Sequence, residues 1–81
     1  MADERIEVRS YAGYRAEEMP RSLVVHGEDI RVTEIVDLWI EEGVEDRTRK
    51  RFFRLKGSNG LIYRIYVTER THEWFLAAIE R

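Results

Sequence analysis

A cluster of cationic and aromatic residues around one predicted hairpin is the part of this sequence best suited to binding chemistry. The strand alternation places six such residues on one face, which we call the basic face: Lys50, Phe52, Arg54, Lys56, Arg64 and Tyr66. Cations interleaved with rings suit a single-stranded nucleic acid, because the bases stack on rings and the phosphates pair with cations. The predicted register also sets Arg54 opposite Arg64, and two facing guanidinium groups repel each other unless an anion lies between them.

The distribution of charge along the chain favours a different role for the same cations. The first 46 residues carry 13 acidic and 5 basic side chains, whereas the remainder carries 9 basic and 3 acidic ones. The acidic candidates on the strand before the hairpin are Glu34, Asp37, Glu41 and Glu42. We favour neutralisation of the basic face within the molecule, then a protein partner, then nucleic acid. A net charge of −2 is unlike the basic balance typical of nucleic-acid-binding domains.

The other reactive residue types form no catalytic or metal-binding pattern. The absence of cysteine excludes disulfides, thiolate metal sites and cysteine nucleophiles. His26 and His72 are far apart in the chain, and a metal site needs three or four converging ligands, so we predict two exposed turn histidines. No serine lies in a nucleophile-elbow sequence. We therefore expect no enzyme activity, no catalytic residues, no cofactor and no metal.

The elements that position the basic face are predicted to be strands. Ile6–Ser10 alternates apolar and polar residues, as a half-buried strand does. Residues 12–20 lose this periodicity and are predicted to form a surface connection, with a short helical turn at 16–19 as an option. Ser22–His26 is a β-branched run that ends at a predicted turn, Gly27–Asp29.

Two segments admit both a strand and a helix. Ile30–Ile40 alternates except at Glu34, and a strand with a bulge near Thr33–Ile35 explains the break. Helical spacing with Gly43 as the stop is the competing interpretation. We prefer the bulged strand because the run is rich in β-branched residues. Trp74–Ile79 is likewise predicted as a strand, with a helix as the alternative.

The turn Gly57–Gly60 joins the two strands of the predicted hairpin. A two-residue turn would set apolar residues against charged ones on both faces. A three-residue loop with a left-handed Gly60 pairs Leu55 with Tyr63 and gathers the apolar residues on one face. Because a one-residue slip would move that whole set to the other side, the core selects the three-residue loop.

Together these segments predict a single small all-β domain over residues 1–81, with an ordered core at about 4–79. Five or six short strands would form an antiparallel sheet that is curled or closed into a barrel. The start of the chain lacks the features of a signal peptide, and no apolar run approaches the ~20 residues of a membrane span. We therefore expect a cytoplasmic protein that does not bind membranes.

A spaced aromatic pattern resembles a small bacterial domain of unknown function. It runs Ile30-x-Val32-x-x-Ile35-x-x-x-Trp39, then Arg51-Phe-Phe-Arg-Leu55, Gly60-Leu-Ile-Tyr63-x-Ile65-Tyr66 and Trp74-Phe-Leu76. That domain occurs alone or at the tail of polymerase-like proteins of the DNA-damage mutagenesis response. The resemblance covers roughly residues 20 to 79, although Thr71-His72-Glu73 stands where the family often has Thr-Gly. It implies a β-rich module in a nucleic-acid-repair setting, and it carries over no functional residues.

The function predicted from these features is that of a non-enzymatic binding module. Another protein or a second copy of the chain would bind the basic face or an unpaired sheet edge, because an open edge can accept a partner's strand. Weak binding of single-stranded nucleic acid by the basic face is one alternative, and a structural or dimerising role is another. Salt separates the first two, since nucleic-acid affinity falls steeply with ionic strength.

Overall fold

Six antiparallel strands make up the computed structural model, which describes residues 3–12, 18–44 and 48–80. The strands are β1 (Glu4–Ala12), β2 (Glu18–Val25), β3 (Glu28–Glu42), β4 (Arg49–Gly57), β5 (Ile62–Thr68) and β6 (Glu73–Glu80). Each strand pairs with the next, and β6 pairs with β1, so the sheet closes into a barrel. The described ranges contain no helix. The all-β prediction is confirmed, and both ambiguous segments are strands.

Alternate side chains of the strands fill the barrel. Leu23, Phe53, Leu55 and Ile65 are wholly buried at its centre. The rest of the core comprises Ile6, Val25, Ile30, Tyr63, Val67, Trp74 and Leu76. Every strand contributes to this set, so closure of the sheet buries one apolar face of each strand.

The β4–β5 hairpin has the predicted register. Leu55 lies opposite Tyr63, and Gly57 and Leu61 are joined by a 2.9 Å backbone hydrogen bond across the three-residue loop. Gly60 has a φ of +87°, the left-handed conformation that glycine adopts without a steric penalty. The apolar pattern and the loop therefore select the same pairing.

The β2–β3 connection differs from the prediction at both of its sides. The turn consists of His26 and Gly27, both with positive φ, and Glu28 already belongs to β3. The preceding strand begins at Glu18, so the predicted surface connection and helical turn are wrong for Glu18–Pro20. Pro20 is buried, and its pairing opposite Ser10 in β1 holds this segment in the sheet. The rest of the expected helical turn, at 16–17, lies outside the described residues.

Strand β3 changes partner along its length. Glu28–Arg31 pairs with β2, whereas Val32–Glu42 pairs with β4. The register with β4 shifts twice, at Thr33 and at Val36. The first shift confirms the predicted bulge, and the second went unpredicted. Bulges sharpen the local bend of a strand, which lets β3 leave β2 and follow β4.

Candidate functional site

The six residues of the predicted basic face lie on the outer side of the β4–β5 hairpin. Phe52 is opposite Tyr66 and Arg54 is opposite Arg64, as the sequence predicts. The face therefore exists as a geometric unit, and its role in binding stays a prediction. Its environment, however, differs from the sequence-based expectation in both its rings and its charges.

The rings of this face belong to a larger row that spans four strands. We call Trp39, Phe52, Tyr66 and Phe75 the aromatic row. They occupy directly paired positions on β3, β4, β5 and β6. Neighbouring ring centroids are 5.3, 4.9 and 5.1 Å apart along the row. These are distances at which aromatic pairs attract each other beyond their area burial.

The two central rings of the row are buried although they point away from the core. Phe52 is only 9% exposed and Tyr66 only 6%. Stacking of bases on these rings, as suggested by the sequence, would need both rings to be exposed, and they are not, because each ring packs between aromatic neighbours from the adjacent strands. Sequence reasoning missed Phe75 and did not place Trp39 beside the basic face. Their place in the row depends on registers that local alternation does not reveal.

Tyr66 is held by polar contacts as well. Its hydroxyl donates a 2.7 Å hydrogen bond to Asp3 Oδ2, and the Lys50 ammonium lies 5.0 Å from its ring centroid. Burial, the hydrogen bond to Asp3 and the charge of Asp3, in that order of size, together raise the pKa of Tyr66 to about 12. Tyr66 is therefore a neutral structural residue at ordinary pH.

The cations of β4 pair with acids that follow them in the chain. Arg54 Nη2 is 2.8 Å from Glu80 Oε1, and Glu69 lies within 4 Å of both Arg49 and Arg51. Of these three cations only Arg54 belongs to the basic face, so the face is neutralised in part, by Glu80. The predicted acidic partners on β3 stand in register with the β4 cations, Asp37 with Arg54 for example, yet no ion pair within the described residues joins them. Arg54 Nε is buried and has no hydrogen-bond partner among the described residues.

The acidic strand β3 has an accessible edge. Pairing between β2 and β3 ends at Arg31, so β3 beyond that residue pairs with a described strand on its β4 side only. The segment Asp37–Glu42 follows the second bulge and is regular; we call it the β3 edge. On its inward-facing side, Leu38 and Ile40 are 45% and 46% exposed, since no described strand covers β3 on the side away from β4.

Charge and aromatic character distinguish the outward-facing side of the β3 edge. Asp37 and Glu41 are exposed there, on either side of the half-buried Trp39. The Trp39 indole Nε1 donates a 2.9 Å hydrogen bond to Glu41 Oε2. Trp39 stacks on Phe52 with an interplanar angle of 10°, and no second aromatic ring of the described residues packs on its opposite face. The aromatic row therefore ends at the open edge.

A second open region lies where β2 and β3 diverge. Arg9, Arg21 and Arg31 line this cleft, and the Arg21 guanidinium lies 5.7 Å from the centroid of the Tyr11 ring. Asp29 and Glu34 also line it, so its charge is mixed. Because its charge is mixed, the cleft favours no single class of ligand.

The histidines take the predicted positions in exposed turns. His26 Nε2 is 3.1 Å from Glu4 Oε2, and His72 lies in the turn before β6. Across the described ranges, no group of three or more potential ligand side chains is arranged to hold a metal ion. The same part of the chain contains no helix that could span a membrane.

Comparisons of the chain with protein-family models, curated proteins and solved structures return no significant match. The resemblance drawn from the aromatic pattern therefore stays a prediction.

Proposed function

We propose that this barrel is a non-enzymatic protein-binding module that accepts an extended partner segment along the β3 edge. The main support for this proposal is the geometry of Asp37–Glu42. This segment is regular strand, pairs with only one described neighbour, and exposes two large aliphatic side chains. Six residues span about 20 Å, which is long enough for a partner strand to form several backbone hydrogen bonds. Open edges are used in this way by peptide-binding domains.

The aliphatic side chains supply the second part of the argument. Leu38 and Ile40 belong to the side of β3 that faces the core, but they are about half exposed because no described strand pairs with β3 on the side away from β4. An added strand would bring its own side chains alongside them and remove apolar surface from water. Covering the exposed half of each would contribute about 1 kcal/mol.

Self-association through the same edge is disfavoured by charge. The stretch 34–42 contains four carboxylates and no cation, so two copies pairing through it would bring like charges together. Acidic side chains and bulges are also the devices by which natural sheets limit edge-to-edge pairing. A partner of different sequence fits this edge better than a second copy.

Selection from a random library of linear heptapeptides, followed by amide shift mapping on the ¹⁵N-labelled barrel, tests the proposal. Shifts concentrated in residues 36–42, lost in Leu38→Lys/Ile40→Lys, are expected. The matched control is Tyr11→Lys/Ile79→Lys, which replaces residues of similar exposure elsewhere. Binding mapped to another surface, or equal loss in both variants, would contradict the proposal.

Single-stranded nucleic acid on the basic face is the second candidate function. It is favoured by the exposed Arg64, which lies opposite Arg54 on the basic face. Against it, Phe52 and Tyr66 stack on neighbouring rings and offer little face to a base. An NMR titration with a short oligonucleotide at low and moderate salt tests it. Shifts confined to the hairpin, lost with salt and in Arg54→Ala/Arg64→Ala, would support it, and a silent titration would refute it.

A further inference from the structure

The chemistry of the β3 edge indicates what kind of segment binds there, and this inference rests on the proposed function. On the outward-facing side, Asp37 and Glu41 are exposed, and neither forms an ion pair with a described cation. The cations opposite them on β4 are Arg54 and Lys50. Arg54 is already paired with Glu80, and the Lys50 ammonium lies over the Tyr66 ring.

A neighbouring strand on the open side would meet these carboxylates directly. Cross-strand partners on one face have Cβ atoms about 5 Å apart, so a lysine or arginine opposite each carboxylate could form an ion pair. An acidic residue in the same place would be repelled. The partner residues opposite Asp37 and Glu41 are therefore expected to be positively charged.

The position between the two carboxylates carries a different preference. Trp39 stands between them, stacked on Phe52 on one side. A ring or guanidinium on the partner could stack on the opposite face of the indole and extend the aromatic row by one member. The partner's inward-facing residues would contact Leu38 and Ile40, which favours aliphatic side chains there.

We infer that the β3 edge binds an extended segment of the pattern basic–aliphatic–aromatic–aliphatic–basic, with arginine as the alternative at the central position. The pattern is symmetric, so it fits the edge in parallel and in antiparallel orientation. An acidic partner segment is disfavoured by the same geometry.

Three fluorescein-labelled peptides test this inference by fluorescence anisotropy. The basic probe is Thr-Lys-Val-Tyr-Val-Lys-Thr, and its acidic and neutral counterparts carry Glu or Ser in place of Lys. At about 50 mM NaCl the basic probe is expected to bind about tenfold more tightly than the acidic one. At about 300 mM NaCl the difference should fall to about twofold, because these charges are exposed to solvent.

A charge-reversal variant provides the complementary test. In Asp37→Lys/Glu41→Lys the preference should invert, so that the acidic probe binds best. The control Glu7→Lys/Glu28→Lys changes the net charge equally at exposed sites outside the β3 edge and should keep the preference of the unaltered protein.

The outcomes separate the inference from the function on which it rests. If all three peptides bind equally and shift the amides of the β3 edge, strand addition stands and the inference is overturned. The same holds if both variants change the preference equally, since net charge would then be the cause. If none of the peptides perturbs the β3 edge, both the inference and the proposed function are overturned.

Discussion

Truncation of Phe52 should destabilise the barrel as strongly as truncation of a core residue, even though Phe52 points away from the core. The side chain is 9% exposed and lies between the rings of Trp39 and Tyr66. Burial of a phenylalanine is worth about 2 kcal/mol relative to exposure. Two aromatic pairs add about 0.5 kcal/mol or more each. Phe52→Ala should therefore lower the free energy of unfolding by about 3 kcal/mol.

That loss is large for a chain of this size. At about 0.05–0.15 kcal/mol per residue, a domain of 81 residues has about 4–12 kcal/mol of stability in total. With a urea dependence of about 1–1.5 kcal/mol per molar, the midpoint of unfolding should fall by about 2–3 M. Urea unfolding followed by tryptophan fluorescence and by circular dichroism measures this change.

A matched surface substitution tests whether burial is the cause. Val44 is 95% exposed, so Val44→Ala should change the free energy of unfolding by less than about 0.5 kcal/mol. If Phe52→Ala also costs less than about 1 kcal/mol, the reasoning is wrong. The aromatic row would then be a solvated surface available to a ligand, and nucleic-acid binding by the basic face would gain support.

Three further predictions concern the loop of the β4–β5 hairpin and the tyrosine of the aromatic row. Gly57→Ala would place a Cβ 2.7 Å from Ile30 Cγ2 in the core, so it should cost about 2 kcal/mol in urea unfolding. Gly60→Ala meets no atom within 4 Å but keeps a φ of +87°, so its cost should be only about 1 kcal/mol; a larger loss than that of Gly57→Ala would refute the steric argument. The Tyr66 pKa of about 12 lies above its ordinary value of 10.0, so the unfolded chain loses this proton first as pH rises. The stability contributed by neutral Tyr66 is complete below pH 10 and declines towards pH 12. Urea unfolding over this range should show a steeper decline for the unaltered protein than for Tyr66→Phe, and equal slopes would contradict the shift.

The β4–β5 hairpin shows how much of this protein the sequence determines locally. Its apolar residues alternate on both sides of one short loop, and only the three-residue loop brings them to the same face. Leu55 therefore meets Tyr63, and the same register sets Arg54 opposite Arg64. The paired residues are close together in the sequence, and one face of the hairpin is buried. A one-residue slip would therefore expose all of its apolar side chains. The all-β class and the bulge at Thr33 follow from the same alternation.

The surroundings of the predicted basic face were decided by tertiary structure alone. The pairing of β3 with β4 includes a second bulge at Val36, and it sets Trp39 beside Phe52. The pairing of β5 with β6 sets Phe75 beside Tyr66. Alternation assigns a residue to a face but does not identify its neighbours on other strands. The sequence therefore could not predict that two outward-facing rings would be buried.

Tertiary structure also decided which charged residues pair with each other and which edge of the sheet is open. The sequence predicts that the acidic strand β3 lies beside the basic strand β4, and this prediction is correct. The choice of Glu80 by Arg54 depends on where β6 lies in the closed barrel. Within the described residues the β3 edge pairs on one side only, because β3 leaves β2 after Arg31 and then follows β4 through two bulges. Residue types and faces were thus determined by the sequence itself, because they depend on local periodicity. Neighbours, burial and free edges were decided by barrel closure, because they depend on contacts between distant segments.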